Sequence, residues 1–245
     1  MFSIFEWYYI GEMKKILFFD LYGTLAGFYP TRFEIQSQAC REFELSVSQD
    51  GILRGYKLAD NLMAHQNSTK PLRLMDESEK FNFFCEYEKL VLSGCDIQVD
   101  MKLAGEIWQT VRNIPYEMKI FDDVLTNFEK LINLEYEILV ISNMNIPGAE
   151  LIKQFQLEKY VNFAVTSKDV GVEKPDPRIF DYALKISNFS KNDAFHIGDQ
   201  ILSDISGAEN AGIAPILMDR DRNYLDFDRC LRVEDMSDLY SNLIH

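Results

Sequence analysis

The 245-residue chain predicts a doubly wound parallel α/β core, broken after its first strand by an all-helical insertion. Three observations lead there. Five short runs are almost continuously apolar, the mark of parallel strands covered on both faces. Helical patterns alternate with the later runs, which is the rhythm of βαβ units. More than a hundred residues separate the first run from the second, far beyond the length of one crossover helix.

Taken in chain order, "MFSIFEWYYIGE" (1–12) is apolar but carries Glu6, lacks a basic leader and precedes no small-residue cleavage site. It is also shorter than the ~20 apolar residues that span a bilayer. Residues 1–12 are therefore expected to be an extension outside the fold, which begins near Met13 with Lys14 and Lys15. "KILFFD" (15–20) is the first strand. Four amphipathic stretches follow, at about 32–44, 50–66, 76–92 and 100–112, separated by turn formers such as "NSTKP" and "LSGCD". The helix "FDDVLTNFEKLIN" leads back to the strands "YEILVISN" (136–143), "NFAVTS" (162–167), "AFHIGD" (194–199) and "APILMD" (214–219). Between these lie the helical patterns "GAELIKQFQ", "DPRIFDYALKIS" and "LSDISGAENAG". The expected domains are a core of 13–29 plus 116–245 and an insertion of 30–115.

Composition narrows the partners. Lys+Arg number 25 against 39 Asp+Glu, a formal charge of −14, so phosphate backbones and anionic membrane surfaces would be repelled. The expectation is a small-molecule substrate with no nucleic acid and no membrane, in a monomer or homodimer. Cys40, Cys85, Cys95 and Cys230 are scattered without a C-x-x-C pair, which suits a reducing cytoplasm. His65, His196 and His245 are too far apart to suggest a zinc cluster.

Right-handed crossovers bring the strand C-termini to one edge, the ligand-binding edge of an open parallel sheet. Asp20 ends the first strand, Ser142 and Asn143 end the second, Lys174 follows the third, and Gly198-Asp199 end the fourth with Asp204 five residues on. Each could be a cap or turn residue taken singly. Three carboxylates, a hydroxyl, an amide and a lysine at successive strand ends predict a common site.

"DLYGTL", "ISN", "KPDP" and "GDQILSD" resemble, in order, the four motifs of the haloacid dehalogenase-like hydrolase superfamily. The resemblance runs from residue 14 to about 219. It implies a Rossmann-like core and a C1-type cap in the insertion. It also implies that Asp20 is the nucleophile and that a covalent aspartyl intermediate forms. Mg²⁺ would be held by Asp20, the Tyr22 backbone carbonyl, Asp199 and Asp204, the last directly or through water. Gly23, Thr24, Ser142, Asn143 and Lys174 would bind the substrate, with Ser142, Asn143 and Lys174 also serving the chemistry.

Tyr22 departs from the phosphatases of the superfamily, which usually place a second aspartate there to protonate the leaving alkoxide. A phenol of pKa ~10 is a poor shuttle at neutral pH. The D-x-Y-G-T pattern is that of the 2-haloacid dehalogenases, in which halide leaves without a proton and no metal is needed. The fourth motif points the other way, because Asp199 with Asp204 is the metal-binding pattern. Arg54 and Lys57 fall in the region of the dehalogenases' halide-binding arginine without matching it securely. The favoured expectation is a Mg²⁺-dependent phosphohydrolase of a small phosphorylated metabolite. The alternatives are a metal-independent 2-haloacid dehalogenase and a non-catalytic phosphate- or partner-binding protein.

Overall fold

All four residues of β1 (Ile16–Phe19) are buried. The structure is a computed structural model that describes residues 14–244; the expectation for residues 1–12 lies outside them. A short strand β2 (Ala26–Tyr29) follows, and then four helices: α1 (Arg32–Glu42), α2 (Gln49–Thr69), α3 (Glu77–Ser93) and α4 (Met101–Asn113). After β3 (Glu117–Ile120) the chain alternates through α5 (Val124–Asn133), β4 (Glu137–Ser142), α6 (Gly148–Gln154) and β5 (Phe163–Thr166). It continues with the single turn α7 (Ser167–Val170), α8 (Pro177–Ser187), β6 (Ala194–Gly198), a π-helical turn at Ile201–Ser206 and α9 (Gly207–Ala211). β7 (Ala214–Met218), β8 (Leu231–Val233) and α10 (Met236–Leu243) complete it.

The main sheet is parallel, in the order β5-β4-β1-β6-β7-β8. β1 is hydrogen-bonded on both sides, Phe18 standing opposite Leu139 of β4 and His196 of β6. On one face Phe18, Leu139, Ile141 and Val165 pack with Ile179, Phe180 and Ala183 of α8. On the other, the Phe19 ring lies 5.2 Å from Phe128 of α5. With both faces covered, the strand has no solvent side on which polar residues could alternate, which accounts for its unbroken apolar run. The sheet is the predicted doubly wound Rossmann-like core, and each of the five apolar runs contains one strand.

Among the described residues, three strands lie outside the five apolar runs. β8 adds a sixth strand at the edge. β2 and β3 form a separate two-stranded sheet. The helix expected as one piece over "LSDISGAENAG" is two, the π-helical turn and then α9.

The chain's contacts fall into two units. One takes the described residues up to Leu25 together with those from Ile120 onward, and the other is Ala26–Lys119. The break falls at the foot of the β2–β3 ribbon rather than at 29/30 and 115/116. The second unit is therefore helical apart from that ribbon. Its interior holds Ile52, Tyr56, Ala59 and Val91 in one cluster and Cys40, Leu92 and Ile107 in another. Thr31 with Glu34 and Asp76 with Glu79 form capping boxes that set the starts of α1 and α3. None of the helices among the described residues is long and apolar enough to cross a membrane.

Candidate active site at the C-terminal edge of the sheet

Asp20 stands one residue beyond β1. Its backbone N–H still donates to the Ile197 carbonyl of β6 at 2.8 Å, so the ladder fixes where the carboxylate leaves the sheet. The chain then turns sharply, and the Leu25 N–H closes the turn on the Leu21 carbonyl at 2.8 Å. Gly23 sits in this turn at φ +84°, and a Cβ there would lie 2.4 Å from Oδ2 of Asp199. Any larger residue would be strained twice, by its backbone and by the Asp199 carboxylate. Thr24 is fully buried, and its carbonyl accepts from Nε of Arg220 at 2.8 Å. Arg220 in turn grips Asp123 with both terminal nitrogens, at 3.0 and 3.1 Å.

Asp199 directly follows β6, and Asp204 lies in the π-helical turn after it. Gly198 lets Asp204 fold back over the strand end, since a Cβ at Gly198 would meet Cγ of Asp204 at 2.2 Å. The Gln200 N–H donates to Oδ2 of Asp204 at 3.0 Å, and Nε2 of His196 lies 3.0 Å from Oδ1. Oxygens of Asp20, Asp199 and Asp204 lie within 4.8 Å of one another. Lys174, only 2% exposed, puts Nζ 2.6 Å from Oδ1 of Asp20 and 2.6 Å from Oδ1 of Asp204.

The side chain of Asn143 positions this lysine. Its Nδ2 donates to the Lys174 carbonyl at 3.0 Å, and its Oδ1 accepts the Lys174 N–H at 2.7 Å. Both halves of the amide are used on the Lys174 backbone, so Asn143 has a positioning role. Ser142, the last residue of β4, is buried beside it. Tyr22 is half-buried next to Gly23. Every residue that the four motifs nominate thus belongs to the core unit, with Asp20, Lys174, Asp199 and Asp204 drawn into one cluster. Arg54 and Lys57 lie on α2, in the other unit.

The electrostatics are those of a crowded anionic site. Burial pushes the Asp20 carboxyl up to about 6, aided by Asp204 and opposed by Lys174. Burial also works against ionised Asp204, but the Lys174 ammonium and the His196 hydrogen bond outweigh it and hold that carboxyl below the usual range. For Lys174 burial opposes charge, yet Asp20 and Asp204 raise its pKa, so it remains an ammonium. His196 is pushed down by burial and stays neutral. Three carboxylates facing one ammonium leave an excess of two negative charges when all are ionised. An all-oxygen donor set of that charge fits a hard divalent cation.

Sequence reasoning missed His196 and Arg220. His196 carried a signal, being the single polar side chain inside the apolar "AFHI" run. Arg220 carried none, because its partners Thr24 and Asp123 are about two hundred and a hundred residues away.

Residues 17–218 match the family of haloacid dehalogenase-like hydrolases. The chain belongs to that family. It is a haloacid dehalogenase-like hydrolase, as the four motifs implied. Haloacid dehalogenase-like hydrolase domain-containing protein 3 of Xenopus laevis is 36% identical over 86 residues, 35% of each chain, so that match spans about a third of the relative's length. The Homo sapiens protein of the same name is 23% identical over 205 residues, 83% of this chain and 81% of the relative. A glyceraldehyde 3-phosphate phosphatase from Methanothermobacter thermautotrophicus is 26% identical over 210 residues, 84% of this chain and 86% of the relative. Among solved structures, a magnesium-bound HAD hydrolase from Bacillus subtilis aligns over 96% of this chain and 100% of that one, with TM-score 0.59 and 17% identity. A 2-haloacid dehalogenase from Pseudomonas syringae pv. Tomato DC3000 aligns over 95% and 99%, with TM-score 0.54 and 24% identity. These two structures share the fold, and the fold alone does not separate their chemistries.

Proposed function

We propose that this hydrolase is a Mg²⁺-dependent phosphohydrolase of a small phosphorylated metabolite, with Asp20 as nucleophile. The observation that carries the reading is the convergence of Asp20, Asp199 and Asp204 within 4.8 Å. A phosphoryl dianion brought to three carboxylates needs a cation, whereas a halide-releasing enzyme has no use for so much negative charge. Asp20, the Tyr22 carbonyl, Asp199 and Asp204 are the proposed ligands. When bound, the ion would neutralise the phosphoryl oxygens and lower the Asp20 pKa, keeping the attacking carboxylate ionised.

In the first step a carboxylate oxygen of Asp20 forms a bond to phosphorus as the bond from phosphorus to the leaving oxygen breaks. Lys174 stays charged and balances the oxygens around the transferring group. Ser142, with the backbone N–H groups of Gly23 and Thr24, binds those oxygens. In the second step water attacks the phosphorus of the aspartyl phosphate, releasing phosphate and restoring Asp20. Tyr22 supplies no ready proton at neutral pH, so the leaving oxygen takes its proton from water. Substrates whose leaving groups need little protonation, acyl and aryl phosphates, should turn over best. The names of the phosphatase relatives add glyceraldehyde 3-phosphate to the panel, as an alkyl phosphate expected to turn over more slowly than aryl and acyl phosphates.

Ala26–Lys119 is proposed to serve as a C1-type cap that sets substrate choice. Four free cysteines accord with the proposed location in a reducing cytoplasm.

Tyr22 favours one other reading, a 2-haloacid dehalogenase in which Asp20 attacks carbon without a metal. The deciding experiment assays phosphoesters and 2-haloacids side by side, with Mg²⁺ and with EDTA. Phosphate release that EDTA abolishes and Mg²⁺ restores supports the proposal. Halide release at full rate in EDTA overturns it, and turnover of neither class indicates a non-catalytic binding protein.

A further inference from the structure

Within Ala26–Lys119 lies a cavity of about 630 Å³, lined wholly by residues of that unit. That is ample room for a small organic ligand. Its wall is aromatic: Phe84 stacks on Trp108 with ring centres 4.7 Å apart and planes 10° from parallel, and Phe81 meets the same indole edge-on at 6.0 Å. Tyr56 and Tyr116 also face it.

Glu88 stands in this wall and is 1% exposed. Among the described residues one hydrogen bond reaches it, from Nε2 of Gln36 at 2.5 Å, and the Gln36 carbonyl oxygen is itself taken by the Tyr56 hydroxyl at 3.0 Å. No cation pairs with Glu88 among the described residues. The nearby Arg32 is committed elsewhere, both terminal nitrogens bonding the Asp60 carboxylate at 2.8 Å. Lys80, also in the wall, is held by Glu77 at 2.8 Å. A carboxylate buried without a cation is costly in its ionised form.

We infer that this cavity binds an aromatic amine, its ring among Phe81, Phe84 and Trp108 and its ammonium on Glu88. An ammonium supplies the counter-charge that Glu88 lacks, because Arg112, the third cation of the wall, lies 5.5 Å over the Trp108 ring instead. Ring faces attract cations as well as burying apolar surface, so the two halves of such a ligand are served by one aromatic box. Burial pushes the Glu88 carboxyl up to about 7, against the pull of the Gln36 bond, so a cation that favours the ionised form meets a group close to its titration point. The inference does not depend on the reaction at Asp20, because no residue of that site lines the cavity.

Calorimetry on the full chain tests it with three probes of matched shape: phenethylamine, phenethyl alcohol and hydrocinnamate. Phenethylamine should bind at one site per chain at least about ten-fold more tightly than either of the others. Glu88→Gln should bring the amine down to the affinity of the alcohol, while Asp20→Asn should leave amine binding as in wild type. Equal affinity for amine and acid, or no binding of the amine, would overturn the inference. So would amine binding that survives Glu88→Gln or is lost in Asp20→Asn. If Glu88→Gln fails to fold, the three-probe comparison on wild type still decides.

Discussion

At the scale of the residue, Asp20 and Tyr22 make opposite predictions. Asp20→Asn removes the nucleophile and, in the proposed mechanism, eliminates turnover, since an amide forms no aspartyl intermediate. Tyr22→Asp keeps the backbone carbonyl and places a proton donor beside the leaving oxygen. It should raise kcat/KM for alkyl phosphates about ten- to a thousand-fold, within the range typical of general acid–base catalysis. Aryl phosphates should gain far less. If Tyr22→Asp depresses both classes equally, the tyrosine has a positive role in the reaction. Asn143→Ala tests the positioning of Lys174. Loss of both hydrogen bonds to the Lys174 backbone should lower kcat more than it raises KM, and should cost about 2 kcal/mol of stability by urea unfolding. Unchanged kcat would mean that the lysine is held well enough by Asp20 and Asp204.

At the scale of the element, the helical unit carries a titration of its own. Glu88 on α3 has its folded-state pKa raised from 4.5 to about 7, by burial among Gln36, Tyr56, Cys40 and the Arg32–Asp60 pair. Between those values the folded chain holds a proton that the unfolded chain has released. Stability from this group is therefore greatest below 4.5 and declines as pH rises through the window to about 7, by roughly 3 kcal/mol in all. Urea unfolding of wild type and Glu88→Gln at several pH values measures it. The variant should gain on wild type by that amount between pH 5 and 8, and parallel curves would show that Glu88 ionises freely in the fold. The parallel strands were readable because their neighbours leave them no polar side. β8 was not, having three residues of which two are only half-buried. Nor was β2, whose "AGFY" holds a glycine and faces outward at Tyr29. The turn at Ile201–Ser206 was read as ordinary helix because its π geometry answers to Asp204 folding back onto the Gln200 N–H, a contact without a periodic signature.

At the scale of the whole molecule, the order of the chain made the site legible. A parallel sheet with right-handed crossovers carries every strand end to one edge, so chain order alone groups Asp20, Ser142, Lys174 and Asp199. What order could not give was the direction of each side chain. Asn143 turns to the Lys174 backbone, and His196 and Arg220 act from distant segments as supports. The net charge of −14 and the acidic cluster together predict that a divalent ion stabilises the fold. By mass action, Mg²⁺ at a hundred times its Kd adds about 2.7 kcal/mol, a rise of several degrees in Tm. Asp199→Asn should remove that rise, and an identical rise in the variant would place the ion elsewhere.

Whether Asp20 accepts a phosphoryl group is read directly in a rapid-quench experiment. Enzyme mixed with an aryl or acyl phosphate and Mg²⁺ is stopped in acid within the first turnover, and its peptides are weighed. The expected result is a phosphoryl adduct on the peptide carrying Asp20, absent in Asp20→Asn and absent when EDTA replaces Mg²⁺. An ester of a 2-haloacid on Asp20, formed in EDTA and without any phosphoryl adduct, would contradict it.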